Sequence, residues 1–211
     1  MEAHDKRHQR VELFATILLA VAAVATAWST YQSTRWRGEQ AVDYSKATAA
    51  RIQSSEASTR AGQLTQIDIA TFIQWIDASV AGDQRLATFY RRRFRKEFRP
   101  AFAAWLATSP RTNPNAPLTP FAMPQYRVAE AEQAKALDAS AGVWADAAGV
   151  ANQRSDNYVL AVVLFASSLF FAGISTKLRS LRQREVLLGL GWLIFLCTAV
   201  WVAFSPVSFS I

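Results

Sequence analysis

The sequence predicts an all-α membrane protein with three transmembrane helices and a long extramembrane α-hairpin continuous with the first and second spans. Two observations carry that reading. Most apolar residues gather in three runs, 11–30, 158–174 and 186–204, and each has the length of about 17 to 25 residues that a helix needs to cross hydrocarbon. Residues 31–157, between the first two runs, are polar and rich in Ala, Ser, Thr, Gln and Arg, and no proline or glycine pair separates Asn157 from Tyr158.

The first element is a tail, 1–10, followed by transmembrane helix 1 at 11–30. Lys6, Arg7 and Arg10 before a short apolar core, with Ala25, Thr26 and Ala27 after it, have the form of a secretory signal. Trp28 and Tyr31 follow as interfacial aromatics would, and small-residue spacing continues through the supposed cut, so the run is read as an uncleaved anchor. Trp28, Tyr31, Trp36 and Tyr158 form the expected membrane-interface aromatics. Lys and Arg in short loops stay on the cytoplasmic side. The three basic residues of the tail and Lys177, Arg179, Arg182 and Arg184 in the loop 177–185 therefore set a cytoplasmic N-terminus, with 31–157 and the tail 205–211 outside. Sixteen basic residues in the middle region oppose this orientation, but long segments translocate with little regard to charge.

From within the first span onward, small residues recur every three or four positions, at Thr16, Ala20, Ala23, Ala27, Thr30 and Thr34 and then at Ala41, Ser45 and Thr48, and the return limb carries Ala141, Ala145 and Ala148, with Gly173 further on. That is the period of one helix face, and small side chains let backbones approach closely in lipid, where dispersion and geometry hold helices together. The spacing predicts two long helices pressed along these seams. A return helix at 125–157 continues into transmembrane helix 2 at 158–176, and transmembrane helix 3 follows at 186–204. Five prolines at 110, 114, 117, 120 and 124 predict an extended connection over 109–124, because proline donates no backbone hydrogen bond and disfavours helix before it.

Residues 84–108 read as a basic amphipathic helix. Arg91, Arg92, Arg93, Arg95, Lys96 and Arg99 alternate with Tyr90, Phe94, Phe98, Phe102 and Trp105, and at about 100° per residue the aromatics share one face. The basic face fits anionic lipid, an acidic envelope polymer or an acidic protein, and an outward-facing location argues against nucleic acid. The aromatic face equally fits the core of the hairpin.

Catalytic groups are scarce. The one cysteine, Cys197, lies in the third run, so neither an intramolecular disulfide nor a thiol pair for zinc is available. Both histidines, His4 and His8, sit in the tail beside Asp5, where they could hold a metal if ordered but read as solvated. Phosphate-cradling glycine loops, HExxH and CxxC are absent from the sequence, so no catalytic residue, cofactor or metal is expected. Glu39, Asp43 and Asp156 lie just outside the first two spans. In an oligomer they would ring a cation-selective pore mouth, whereas the plainer reading pairs them with Arg35, Arg37, Lys46 and Arg154. The middle of each span carries no Asp, Glu, Lys or Arg, so the relay of a proton-coupled transporter is missing; Thr16, Thr26, Ser167 and Ser168 could line a pore or bond backbone carbonyls.

Three stretches, 27–41, 120–126 and 151–174, resemble an uncharacterised family of bacterial three-span membrane proteins: AWSTYQSTRW with GEQA after it, PFAMPQY, and ANQRSDNY leading to LFFAGI. The resemblance covers most of the chain. It implies the layout and a bacterial cytoplasmic membrane, and it marks the two juxtamembrane segments as the functional end. The uninterrupted packing seams and the scarcity of catalytic groups set the expectation of a non-enzymatic membrane protein that acts as an assembly or interaction subunit, a homo-oligomer with membrane lipid as its surroundings. The alternative is an oligomeric channel with an acidic outer mouth.

Overall fold

A computed structural model describes residues 2–208, with side chains from Arg7 onward. His4, Asp5, Lys6 and the last three residues of the tail fall outside the described side chains. The described residues form helices α1 (Glu2–Val80), α2 (Gln84–Arg93), α3 (Arg99–Ala107), α4 (Ala129–Ser175) and α5 (Leu181–Ala203), with a single 3₁₀ turn at Pro120–Ala122 and no strand. Three of them, α1, α4 and α5, are long and apolar enough to cross a membrane. α1 and α4 pass through residues 30–31 and 157–158 without interruption. The chain divides into two compact units, residues 1–45 with 144–211 and residues 46–143.

In the first unit, α1 sets Ala15, Leu18 and Ala22 against Ala172 of α4 and Leu188 of α5. The alanines among these positions allow the close approach that holds helices together in lipid. Of the glycines, Gly191 alone is closely surrounded: a Cβ there would lie 3.2 Å from Leu18 Cδ2 and 3.3 Å from the Ser168 carbonyl oxygen. The hydroxyls of Thr16, Thr26, Ser167, Ser168 and Thr198 each donate to the carbonyl four residues earlier, so these polar groups are satisfied within their own helices. α4 ends where the Arg184 guanidinium takes up two orphan carbonyls, donating from Nε to Ser175 O at 2.9 Å and from Nη2 to Thr176 O at 2.8 Å.

The second unit is built differently. Ala47, Ala50, Ala57 and Ala61 of α1 are buried, as are Ala134 and Ala141 of α4, and Ser54 Oγ donates to the Ala134 carbonyl at 2.8 Å. α1 stops at Gly82, whose φ of 79° suits a residue without a Cβ, and Asp83 then caps α2 by accepting from the Leu86 N–H at 2.9 Å.

The single amphipathic helix expected at 84–108 is in fact two. Phe94 leaves the helical region with ψ of 138°, and Pro100 occupies the first turn of α3, where its missing N–H costs nothing. A continuous helix would need a Pro100 donor for the carbonyl of Lys96 and would clash with it. The break has a packing consequence. It wraps Phe94, Phe98 and Phe102 around Phe72 of α1, together with Trp105, and Trp75, Phe121, Met123 and Tyr126 close the cluster.

The connection at 109–124 is also not extended. Ser109, with φ of 54°, accepts from the N–H groups of Thr112 and Asn113, and Ala116 N–H donates to Asn113. The Trp105 indole N–H then pins the loop by donating to the Pro117 carbonyl at 2.7 Å. Prolines remove donors but keep their carbonyls, and those acceptors fold the segment back onto the aromatic cluster.

Candidate functional site

The two juxtamembrane segments singled out in the sequence lie against each other in the first unit. Ser33 Oγ and Ser155 Oγ are 3.0 Å apart, and Ser155 Oγ also lies 3.2 Å from the Ser33 carbonyl. Trp36 packs with Ala151 and Tyr158, and the Arg154 guanidinium stands 4.5 Å above the Trp36 ring, a cation–π contact. Trp36 and Tyr158 are therefore corrections to the expected interfacial belt. They are 5% and 2% exposed, because an aromatic ring able to fill the gap between two Ala-lined helices is worth more inside than at a headgroup. Trp28 and Tyr31 remain on the surface, with ring centroids 5.9 Å apart.

The chain's C-terminal end closes this site. The Tyr158 hydroxyl donates to the Pro206 carbonyl at 3.2 Å, and the Ser208 N–H donates to Gln32 Oε1 at 3.0 Å. Ser208 Oγ donates to the carboxylate of Glu39. Gln32, Ser29, Ser155 and Ser208 are all buried, and Ser29 Oγ, Gln32 Nε2 and Trp36 Nε1 are buried with no hydrogen-bond partner among the described residues. Such a knot of polar groups holds the tail in register.

Of the acids expected at a pore mouth, Glu39 is half-buried and engaged by Ser208, Asp43 is half-buried, and Asp156 is exposed and accepts from Asn152 Nδ2 at 3.2 Å. The predicted seam on α1 is displaced. Ala20, Ala23, Ala27, Thr34 and Ala41 are exposed, whereas Ala15, Leu18, Ala22, Ser29, Gln32, Ser33 and Trp36 form the face packed within the chain. The period holds and the phase does not. Each residue advances about 100°, and the packed face is chosen by the side chains that fill and bond, which a count of small residues leaves out. On α4, Ala141 and Ala148 are buried, and Ala145 and Gly173 are half-buried.

The basic segment of the second unit is divided in its duties. Arg91, Arg92, Arg93, Lys96 and Arg99 are exposed, and Arg99 donates to the carbonyls of Phe94 at 3.0 Å and Arg92 at 2.9 Å. Arg93 lies 3.4 Å over the Phe89 ring. Arg95 is largely buried: it turns inward, with Nε 3.6 Å from Oδ1 of Asp68, whose side chain is fully buried. The Tyr126 hydroxyl donates to Asp68 Oδ2 at 3.2 Å and lies 3.3 Å from Thr65 Oγ1. Burial pushes the Asp68 carboxyl above its ordinary value of 3.8; Arg95 and the Tyr126 hydrogen bond pull it back in part, and Glu97 adds to the rise. Burial likewise raises Tyr126. Sequence reasoning missed this triad, and one local signal points to it: Asp68 sits between Ile67 and Ile69, in phase with Ala61 and Phe72 of the buried face.

Compared with protein families, curated proteins and solved structures, the chain matches none.

Proposed function

We propose that this chain is a non-enzymatic integral membrane subunit that assembles with copies of itself. In this reading it is anchored in a bacterial cytoplasmic membrane with its N-terminus inside, and residues 31–157 form a helical hairpin on the outer side. One observation supports it above others. The small residues of α1, Ala20, Ala23, Ala27, Thr30, Thr34 and Ala41, are exposed along its length, and Thr48, Ser55, Thr59 and Gly62 carry the same exposed spacing onward.

At about 100° per residue this strip lies on the side of α1 opposite the face that carries Leu18, Ala22, Ser29 and Trp36. A third strip holds the large apolar side chains, Leu13, Ile17, Val21 and Val24, all exposed, which suit contact with lipid tails. Small residues gain little from lipid contact and much from a closely approaching backbone, so the free small strip is a surface for another helix. A second copy of α1 brings a matching strip.

The mass of the particle in mild detergent or in nanodiscs tests this. More than one chain per particle is expected, and the paired change Ala23→Phe with Ala27→Phe should leave a folded monomer. A wild-type monomer overturns the assembly. A multi-chain particle that conducts ions in planar bilayers, with conductance lost in Asp156→Ala, would instead make the assembly a channel.

A further inference from the structure

α1 and α5 begin side by side in the first unit and leave a cleft of about 500 Å³ between them. Arg7, Arg10 and Phe14 wall it on α1, and Glu185, Leu188 and Trp192 wall it on α5. On each helix the spacing is i, i+3, i+7, a single face. All the charge is therefore at one end of the cleft and both aromatic rings are at the other, about 10 Å further along the helices.

The charges do not cancel. Arg7 Nε lies 3.6 Å from Glu185 Oε1, so that pair is matched. Arg10 is exposed and makes no ion pair or hydrogen bond with the described residues, which leaves one cation at the mouth. The nearby Arg184 is committed to the carbonyls of Ser175 and Thr176 and to the His8 ring nitrogen at 3.2 Å.

We infer that this cleft holds one anionic phospholipid, its phosphate at Arg10 and an acyl chain along Phe14, Leu188 and Trp192. The occupant follows from the order of the chemistry. The charged end lies just before the apolar runs of both helices and the aromatic end lies within them, which repeats the order of headgroup and tail in a bilayer leaflet. A soluble anion would leave the apolar floor bare. A zwitterionic lipid would bring its own cation towards Arg10. Because the cleft lies on the side of α1 away from the Ala23 and Ala27 strip, it stands whether or not the chain assembles with copies of itself.

The test uses the full chain, extracted in mild detergent and offered equimolar phosphatidylglycerol and phosphatidylcholine, with retained lipid identified by native mass spectrometry. One phosphatidylglycerol per chain is expected, favoured about fivefold over phosphatidylcholine. Arg10→Gln should bring the two lipids to parity, while Arg182→Gln, on the exposed start of α5, leaves the preference intact. Brominated phosphatidylglycerol should quench the part of the emission that Trp192→Phe removes. Parity in the wild type, equal losses in Arg10→Gln and Arg182→Gln, or unquenched Trp192 emission would overturn the site. So would a Phe14→Cys cross-link between two copies that forms only after the lipid is stripped and lipid rebinding does not prevent.

Discussion

The two units surround α1 with different materials. In the first, many packed residues are small or hydroxyl-bearing, Ala15, Ala22, Ser29, Ser33, Ser155, Ala161, Ser168, Ala172 and Gly191, with Leu18, Trp36, Tyr158, Phe165 and Leu188 set among them. In the second, the same helix turns to Phe72, and Phe94, Phe98, Phe102 and Trp105 gather on it. In the proposed membrane placement, with the first unit's spans in lipid and the second unit in water, surroundings explain the change. Among lipid tails, an apolar side chain gains nothing by moving from lipid to protein, so contact depends on fit and hydrogen bonds. In water each buried ring contributes to stability in proportion to its area. One helix thus carries two packing codes in series.

The largest effects should fall on the aromatic side. Phe98 is fully buried and meets Phe94, Phe102, Phe121 and Tyr126 at centroid distances of 5.0 to 6.1 Å. Phe98→Ala should cost about 3–5 kcal/mol in the second unit, read by near-ultraviolet circular dichroism during thermal unfolding. The small-residue unit, followed by protection of its membrane helices from hydrogen exchange, should hardly respond. If both units melt together, the two codes are not independent.

Next comes Arg95→Met, which strands the buried Asp68 and should cost about 3 kcal/mol near neutral pH. The sign with pH is fixed by the raised folded value of Asp68. The folded state holds this proton more tightly than the unfolded chain, so the group's stabilising contribution is fully present below about 3.8 and is lost as pH rises through the folded value. Asp68→Asn should flatten that part of the pH–stability profile of the second unit. A profile unchanged by Asp68→Asn would show that the carboxyl is not perturbed in the fold.

On the small-residue side the expected change is smaller and of the opposite kind. Gly191→Val should cost about 1–3 kcal/mol by overpacking against Leu18 and the Ser168 carbonyl. Gly189→Val, where no atom lies within 4 Å of the added Cβ, is the matched control. Equal losses would mean that α5 does not pack as closely as Gly191 permits.

What the sequence makes legible follows the same division. Helices defined by long apolar runs are plain, since length and hydropathy are local properties: α1, α4 and α5 stand where the three runs put them. The phase of α1 is not local. Ala22 and Ala23 are indistinguishable in composition, and only Gln32, Ser33 and Trp36 finding Ser155, Ser208 and Tyr158 decides which is buried. Pro100 foreshadows the break at Phe94, but the regular aromatic spacing masks it. Arg95 belongs to a run of similar cations, and nothing within that run marks the one that turns inward to Asp68.

The smallest expected effect bears on why the first unit needs polar groups inside at all. Ser208 Oγ reaches Glu39 and its N–H reaches Gln32, so the tail is held by hydrogen bonds where the second unit would use a ring. Removing one such bond leaves an acceptor to be resolvated, and Ser208→Ala should cost about 1 kcal/mol. Ser205→Ala is the control, because among the described residues Ser205 Oγ bonds the Trp201 carbonyl near the end of α5. Tail release, measured as protease cleavage after residue 204 in detergent, should rise in Ser208→Ala and not in Ser205→Ala. In a Glu39→Met background, which removes the acceptor of the Ser208 hydroxyl, Ser208→Ala should have little further effect on tail release. Additive losses in the double variant would mean that Ser208 and Glu39 act separately, and the clasp would then rest on the Gln32 and Tyr158 bonds alone.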